Sequence, residues 1–121
     1  MNTEIILKTA LNVLNEKKAR ELKAVKVNEL TALTDYFVFA TATSTTHVRS
    51  LAEEVDFKLN EIGIPPKHIE GKASGWILLD YGTVIVHIFT ADNREFYGLD
   101  QMWADGKNVD LTKILDNTLE D

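Results

Sequence analysis

Apolar positions along the chain repeat with two periods. Over residues 3–20, Ile6, Ala10, Val13 and Leu14 fall on one stripe with Leu7 and Leu11 beside it. Lys17, Lys18 and Arg20 gather at the far end, where cations suit the helix dipole, so the spacing predicts a helix. Residues 23–28 alternate polar and apolar, which predicts a short strand with one solvated face. Residues 35–42 are aromatic and β-branched, a second strand. Thr43 to Thr46 offer capping hydroxyls. Val48, Leu51, Ala52, Val55, Leu59 and Ile62 then recur at helical spacing, the strongest periodic signal in the chain. Gly63 is expected to close this helix in the left-handed conformation, and Pro65 and Pro66 to stop it resuming.

Further along, the apolar run of residues 76–79, the turn at Asp80, Tyr81 and Gly82, and the run of residues 83–89 predict a hairpin. Both runs are apolar at consecutive positions, so each strand is expected to be covered on both faces, with Ile77, Leu79, Val84 and Val86 in the core. Residues 92–104 are expected to form a short amphipathic helix through Phe96, Leu99 and Trp103. The order of elements describes an α/β fold: a single domain over residues 1–116, with one mixed β-sheet packed by helices, and a frayed tail over 117–121. The helix after the second strand is a crossover connection, so its flanking strands can run parallel.

Composition narrows the classes. The chain has 121 residues, one ordinary domain, and its 45% hydrophobic and 26% charged content excludes disorder. No apolar run approaches the ~20 residues of a membrane helix, and Met1 to Glu4 lack the basic flank of a signal peptide. Absence of cysteine removes disulfides, thiolate metal sites and cysteine nucleophiles, and fits a reducing, cytoplasmic setting. Residues 1–60 balance eight basic against eight acidic side chains, whereas residues 61–121 hold five basic and eleven acidic ones. The whole net charge of −6 therefore sits in the second half. That argues against phosphate backbones as the main contact and for a basic protein partner.

Candidate chemistry is sparse. His47, His68 and His87 show no metal-ligand spacing, and His87, sharing a strand face with Ile85 and Phe89, reads as a neutral, hydrogen-bonded core or interface residue. Glu53, Glu54 and Asp56 lie on the solvated side of a helix; Asp35 and Asp80 sit where turns need short acceptors. The stretch from Gly71 to Gly75 lacks the order of a phosphate loop. No catalytic, cofactor-binding or metal-binding residue is predicted.

Several stretches together carry a resemblance: Asp35 to Val38, Ser44 to Val48, Glu70 and Gly71, then W-x3-D-x-G-x-V-x-V-H-x-F from Trp76 to Phe89, and R-x2-Y-x-L-[DE]-x2-W from Arg94 to Trp103. Over residues 3–112 the chain resembles the ribosomal silencing factor family (RsfS, the bacterial relatives of plant iojap). The resemblance implies a fold similar to nucleotidyltransferases. Active members of that superfold place a Gly-Ser pair before a metal-binding Asp-x-Asp on a strand. Here Thr41-Ala42-Thr43-Ser44 stands in its place and no predicted strand carries the two carboxylates. The expectation is the fold without the reaction: a binding protein, not an enzyme, with no cofactor. The resemblance further implies contact with the large ribosomal subunit through its protein fourteen (uL14), occlusion of the small subunit, and a homodimer when free. Trp76 and Tyr81 are the expected anchors of that contact, with Leu78 beside them, His87 and Ile88 at the edge, and Asp80, Asp92, Glu95 and Asp100 in an acidic rim. Arg94 and Tyr97 are expected to brace the last helix against the sheet, and Trp103 to anchor the local core. The rival readings are a large-subunit assembly factor and a divergent nucleotidyltransferase.

Overall fold

A computed structural model describes residues 3–71 and 75–115. The expected tail over 117–121 lies outside the described residues. Chain order is α1 (Thr3–Glu16), β1 (Arg20–Lys26), β2 (Tyr36–Ala42), α2 (Thr45–Glu61), β3 (His68–Glu70), β4 (Trp76–Asp80), β5 (Val84–Thr90), α3 (Ala91–Tyr97), α4 (Leu99–Met102) and β6 (Lys107–Asn108), followed by a single turn of 3-10 helix at Leu111–Lys113.

Among the described residues, six strands form one mixed sheet in the order β3-β4-β5-β2-β1-β6. The centre is the parallel pair β2 and β5, in register from Tyr36 against Val84 to Ala42 against Thr90. Both strands are buried along almost their whole length, as their unbroken apolar runs require. β4 is antiparallel to β5 and β3 antiparallel to β4, so β3 runs the same way as β2, as the crossover through α2 allows.

Helices α1 and α2 cover one face. Their stripes (Ile6, Ala10, Leu11 and Leu14; Val48, Leu51, Val55 and Leu59) pack on Ala24, Val38, Ala40, Ala42, Ile77, Leu79, Val84, Val86 and Ile88. The opposite face carries a second, aromatic core: Val25, Phe37, Phe39, Ile85 and Phe89, with Trp76, Leu78, Leu99 and Trp103 against it. Phe37 and Trp103 meet with ring centroids 4.9 Å apart, so Trp103 anchors the segment after α4 to the sheet.

Three boundaries depart from expectation. α1 stops at Glu16 rather than residue 20, because Lys18 takes a left-handed φ of 69° and the Ala19 amide bonds back to the Leu14 carbonyl at 2.9 Å. The chain then enters β1 at Arg20, three residues before the expected strand. The expected helix over 92–104 is two pieces, broken where Gly98 adopts φ 61°. Leu99 and Trp103, after the break, pack against the sheet, while Phe96, before it, faces solvent.

Candidate protein-docking face

Strand parity decides what the open face presents. Trp76 pairs across the sheet with Phe89, Leu78 with His87, and Asp80 with Ile85. These residues all point away from α1 and α2. β4 is buried at Ile77 and Leu79 but half-exposed at Trp76, Leu78 and Asp80, so it is covered on one face only, not both. The broken helix α3–α4 roofs the β2–β5 part of this face.

An aromatic ladder climbs out of the second core at that edge. Trp76 packs on Phe89 at 6.0 Å and on Tyr97 at 4.6 Å, and Phe96 stands edge-on to Tyr97 at 4.9 Å. Tyr97 is 47% exposed and Phe96 79%. The Trp76 indole N–H donates to Nδ1 of His87 at 3.2 Å, which assigns the ring proton of the neutral imidazole to Nε2. His87 is buried among Phe37, Phe39, Phe89 and Trp76, and burial pushes its pKa down to about 4.

Arg94 holds α3 to the sheet. Its guanidinium donates to the Glu21 carbonyl at 2.8 Å, to Thr41 Oγ1 at 2.9 Å and, as a fork, to both carboxylate oxygens of Asp100 at 2.9 and 2.7 Å. It also lies over the rings of Phe39 and Phe89. The Arg94 hydrogen bonds, against some opposing desolvation, hold the Asp100 carboxyl below the usual range, with the charges of Arg94 and Lys23 adding to the effect.

The acidic rim is partly as expected. Asp80 Oδ1 caps the hairpin turn by accepting from the Gly82 amide at 2.7 Å, and its Oδ2 lies 3.6 Å from His68 Nδ1. His68 also reaches Glu70, with Nε2 3.1 Å from Oε2. Asp92 is exposed one helical turn before Phe96. Glu95 borders a different hollow, with Glu21, Arg94 and Asp100.

Four of the expected contact residues lie buried or bonded in the free chain. Tyr81 is 2% exposed and packs in the helix-side core, because the hairpin turn rolls its ring under the sheet. Ile88 is fully buried on the same side, and His87, 6% exposed, lies beneath the Trp76 ring. Asp100 is consumed by Arg94. Phe96, Tyr97 and Glu70 also stand exposed at this edge, outside the residues expected for the contact; β3 is too short to leave a periodic signal.

The comparisons decide what kind of protein carries this face. The family described as Ribosomal silencing factor during starvation matches residues 1–121. The chain belongs to the ribosomal silencing factor family. A ribosomal silencing factor of Bacillus subtilis is 34% identical over 112 residues, covering 92% of this chain and 95% of its own. That of Halalkalibacterium halodurans is 31% identical, covering 95% and 99%. The crystal structure of a Chromobacterium violaceum protein superposes with a TM-score of 0.83 at 31% identity, covering 86% of this chain and 88% of that one. Relatives are named as silencing factors and not as enzymes, so the family is regulatory: ribosome association, not turnover, is where this silencing factor's function lies.

Proposed function

We propose that this silencing factor docks on the large ribosomal subunit at uL14, through the aromatic ladder of Trp76, Tyr97 and Phe96 with Leu78 beside it, and keeps the small subunit away by its bulk. What supports this is one juxtaposition: stacked aromatic rings at the half-covered corner of a sheet, edged by Glu70, Asp80 and Asp92. Aromatic anchors in a polar rim make protein–protein hot spots, and rim carboxylates speed encounter with a basic partner. An ordinary interface takes ~800 Å² from each partner, a small part of the 7038 Å² surface here. Most of a body roughly 35 Å across would remain projecting from the subunit.

We place the same apolar face at the contact between two copies when the chain is free, so that the dimer yields to a single copy on the ribosome. The setting we assign is the cytoplasm. Light scattering of purified subunits tests the main reading. Added chain is expected to slow or prevent subunit association, and Phe96→Ala to weaken that effect. Unchanged association at saturating chain would overturn it. Sedimentation of the free chain, wild type against Phe96→Ala, tests the dimer.

A further inference from the structure

One corner of the fold holds its backbone in a conformation that its residue type resists. Between Arg20 and Lys23 the pairing of β1 with β2 slips by one residue, a β-bulge. Glu21 stands in that bulge with φ 48°, in the left-handed region that a Cβ opposes and glycine usually fills. A strained residue persists only where its surroundings hold it. Here the holder is Arg94, whose guanidinium donates to the Glu21 carbonyl at 2.8 Å and to Thr41 Oγ1 at 2.9 Å.

Arg94 comes from an element with little else to keep it down. No residue of α3 or α4 is buried. The two helices have seven and four residues, and Gly98 breaks them at φ 61°. Isolated helices shorter than ~12–15 residues are marginal in water. Their outer ends are fixed, by Thr90 at the close of β5 and by Trp103 on Phe37 at 4.9 Å. Between those ends Leu99 and Tyr97 make partly exposed contacts, and Arg94 also grips Asp100 of α4 at 2.9 and 2.7 Å. One guanidinium therefore joins both helices to β1 and β2. Beneath it lie the rings of Phe39 and Phe89, both 0% exposed.

We infer that α3 and α4 form a strap that opens as one unit while the sheet stays folded, with Arg94 as its latch and the Glu21 bulge as a spring set against it. Closing costs Glu21 its relaxed backbone. Opening returns it and gives up the four Arg94 hydrogen bonds. Regions with few buried contacts open at lower free energy than the core, and two opposed terms at one latch make that opening adjustable. Opening uncovers Phe39 and Phe89 and carries Phe96 and Tyr97 away, so the latch decides which aromatic surface the chain shows. It belongs to the free chain and needs no partner.

Amide hydrogen exchange of the whole chain tests the strap, read at Gly98 and Met102 within it and at Val38 and Val86 in the central strands. Strap amides are expected to exchange together, about a hundredfold or more faster than strand amides. The two left-handed residues then separate the latch from general stability. Lys18, at φ 69°, lies outside the Arg94 contacts, so it stays left-handed whether the strap is open or closed. Lys18→Gly is expected to slow strand exchange about threefold and to leave strap exchange unchanged. Glu21→Gly is expected to slow both about threefold, because its relief is lost on opening. Arg94→Lys is expected to speed strap exchange several-fold. Wild-type strap amides as protected as the strand amides overturn the strap. If Glu21→Gly leaves strap exchange unchanged, or Lys18→Gly slows it equally, the bulge is no spring; if Arg94→Lys leaves it unchanged, Arg94 is no latch.

Discussion

Trp76 and His87 are joined side chain to side chain, indole N–H to Nδ1 at 3.2 Å, and through that bond the exposed face is tied to the buried aromatic core. A protonated imidazole has no acceptor to offer, so acid attacks the contact and the core together. His87 binds its proton only near pH 4 in the folded chain, against an ordinary 6.5. Between those values the unfolded chain takes up a proton that the folded chain refuses. Stability from this residue is therefore intact above about 6.5 and falls as pH drops toward 4, by on the order of 3 kcal/mol in all. Urea unfolding at pH 7.5, 6.0, 5.0 and 4.5 is expected to show that decline, with the slope shallower in His87→Phe. Equal slopes in the two proteins would show that other groups carry the acid sensitivity.

Arg94 is the fastening of α3, and its loss is expected to be costly out of proportion to one surface residue. Arg94→Ala removes the donor of Thr41 Oγ1 and of the Glu21 carbonyl, and leaves Asp100 with Lys23 alone at 3.5 Å. Hydrogen bonds to a charged group contribute about 1.5–3 kcal/mol, so a destabilisation of about 2–3 kcal/mol is expected in chemical denaturation. Arg94→Lys should recover only part of it, because an ammonium cannot present the fork to Asp100. Full recovery by lysine would reduce the role of Arg94 to its charge alone.

The two long helices show what was legible in the sequence. α2 ends where Gly63, at φ 82°, lets the Ile64 amide reach the Leu59 carbonyl; a glycine just past a periodic stripe announces that geometry in advance. α1 ends with the same pair of bonds, yet its left-handed residue is Lys18, and no residue type there marks the turn. The central strands were legible because burial on both faces demands unbroken apolar runs, as in residues 84–89. The proposed docking face is less so. The motif points to Trp76, Leu78 and Asp80, which are half-exposed, but also to Tyr81, which the turn rolls inside. A tyrosine at a hairpin carries no sequence mark of which side it takes.

Lys18 invites a stabilising change. A non-glycine residue in the left-handed region costs about 1–2 kcal/mol, and glycine there is free of it, at the expense of a more flexible unfolded chain. Lys18→Gly is expected to raise stability by about 0.5–1 kcal/mol, read as a higher denaturation midpoint with an unchanged slope. Lys18→Ala, which keeps the Cβ, should give no such gain. If alanine and glycine stabilise equally, relief of charge among Lys17, Lys18 and Arg20 is the cause instead.

Tyr81 and Phe96 form an opposed pair, each with the property sequence reading assigned to the other. The Tyr81 hydroxyl is buried with no hydrogen-bond partner among the described residues, and burial, with the negative charge of Asp56 adding to it, pushes its pKa above the ordinary tyrosine range. Removing an unpartnered buried hydroxyl relieves its desolvation penalty, so Tyr81→Phe is expected to hold or raise stability by up to about 1 kcal/mol and to leave ribosome retention unchanged. Phe96 is 79% exposed, so Phe96→Ala should alter stability by less than about 0.5 kcal/mol. If it anchors the partner, the same change should cost at least about 1 kcal/mol of binding, several-fold in affinity. Unfolding and subunit retention measured on both variants give a two-by-two outcome. A Tyr81→Phe protein that folds well but no longer binds would return Tyr81 to the interface and place the contact at the hairpin turn rather than on the aromatic ladder.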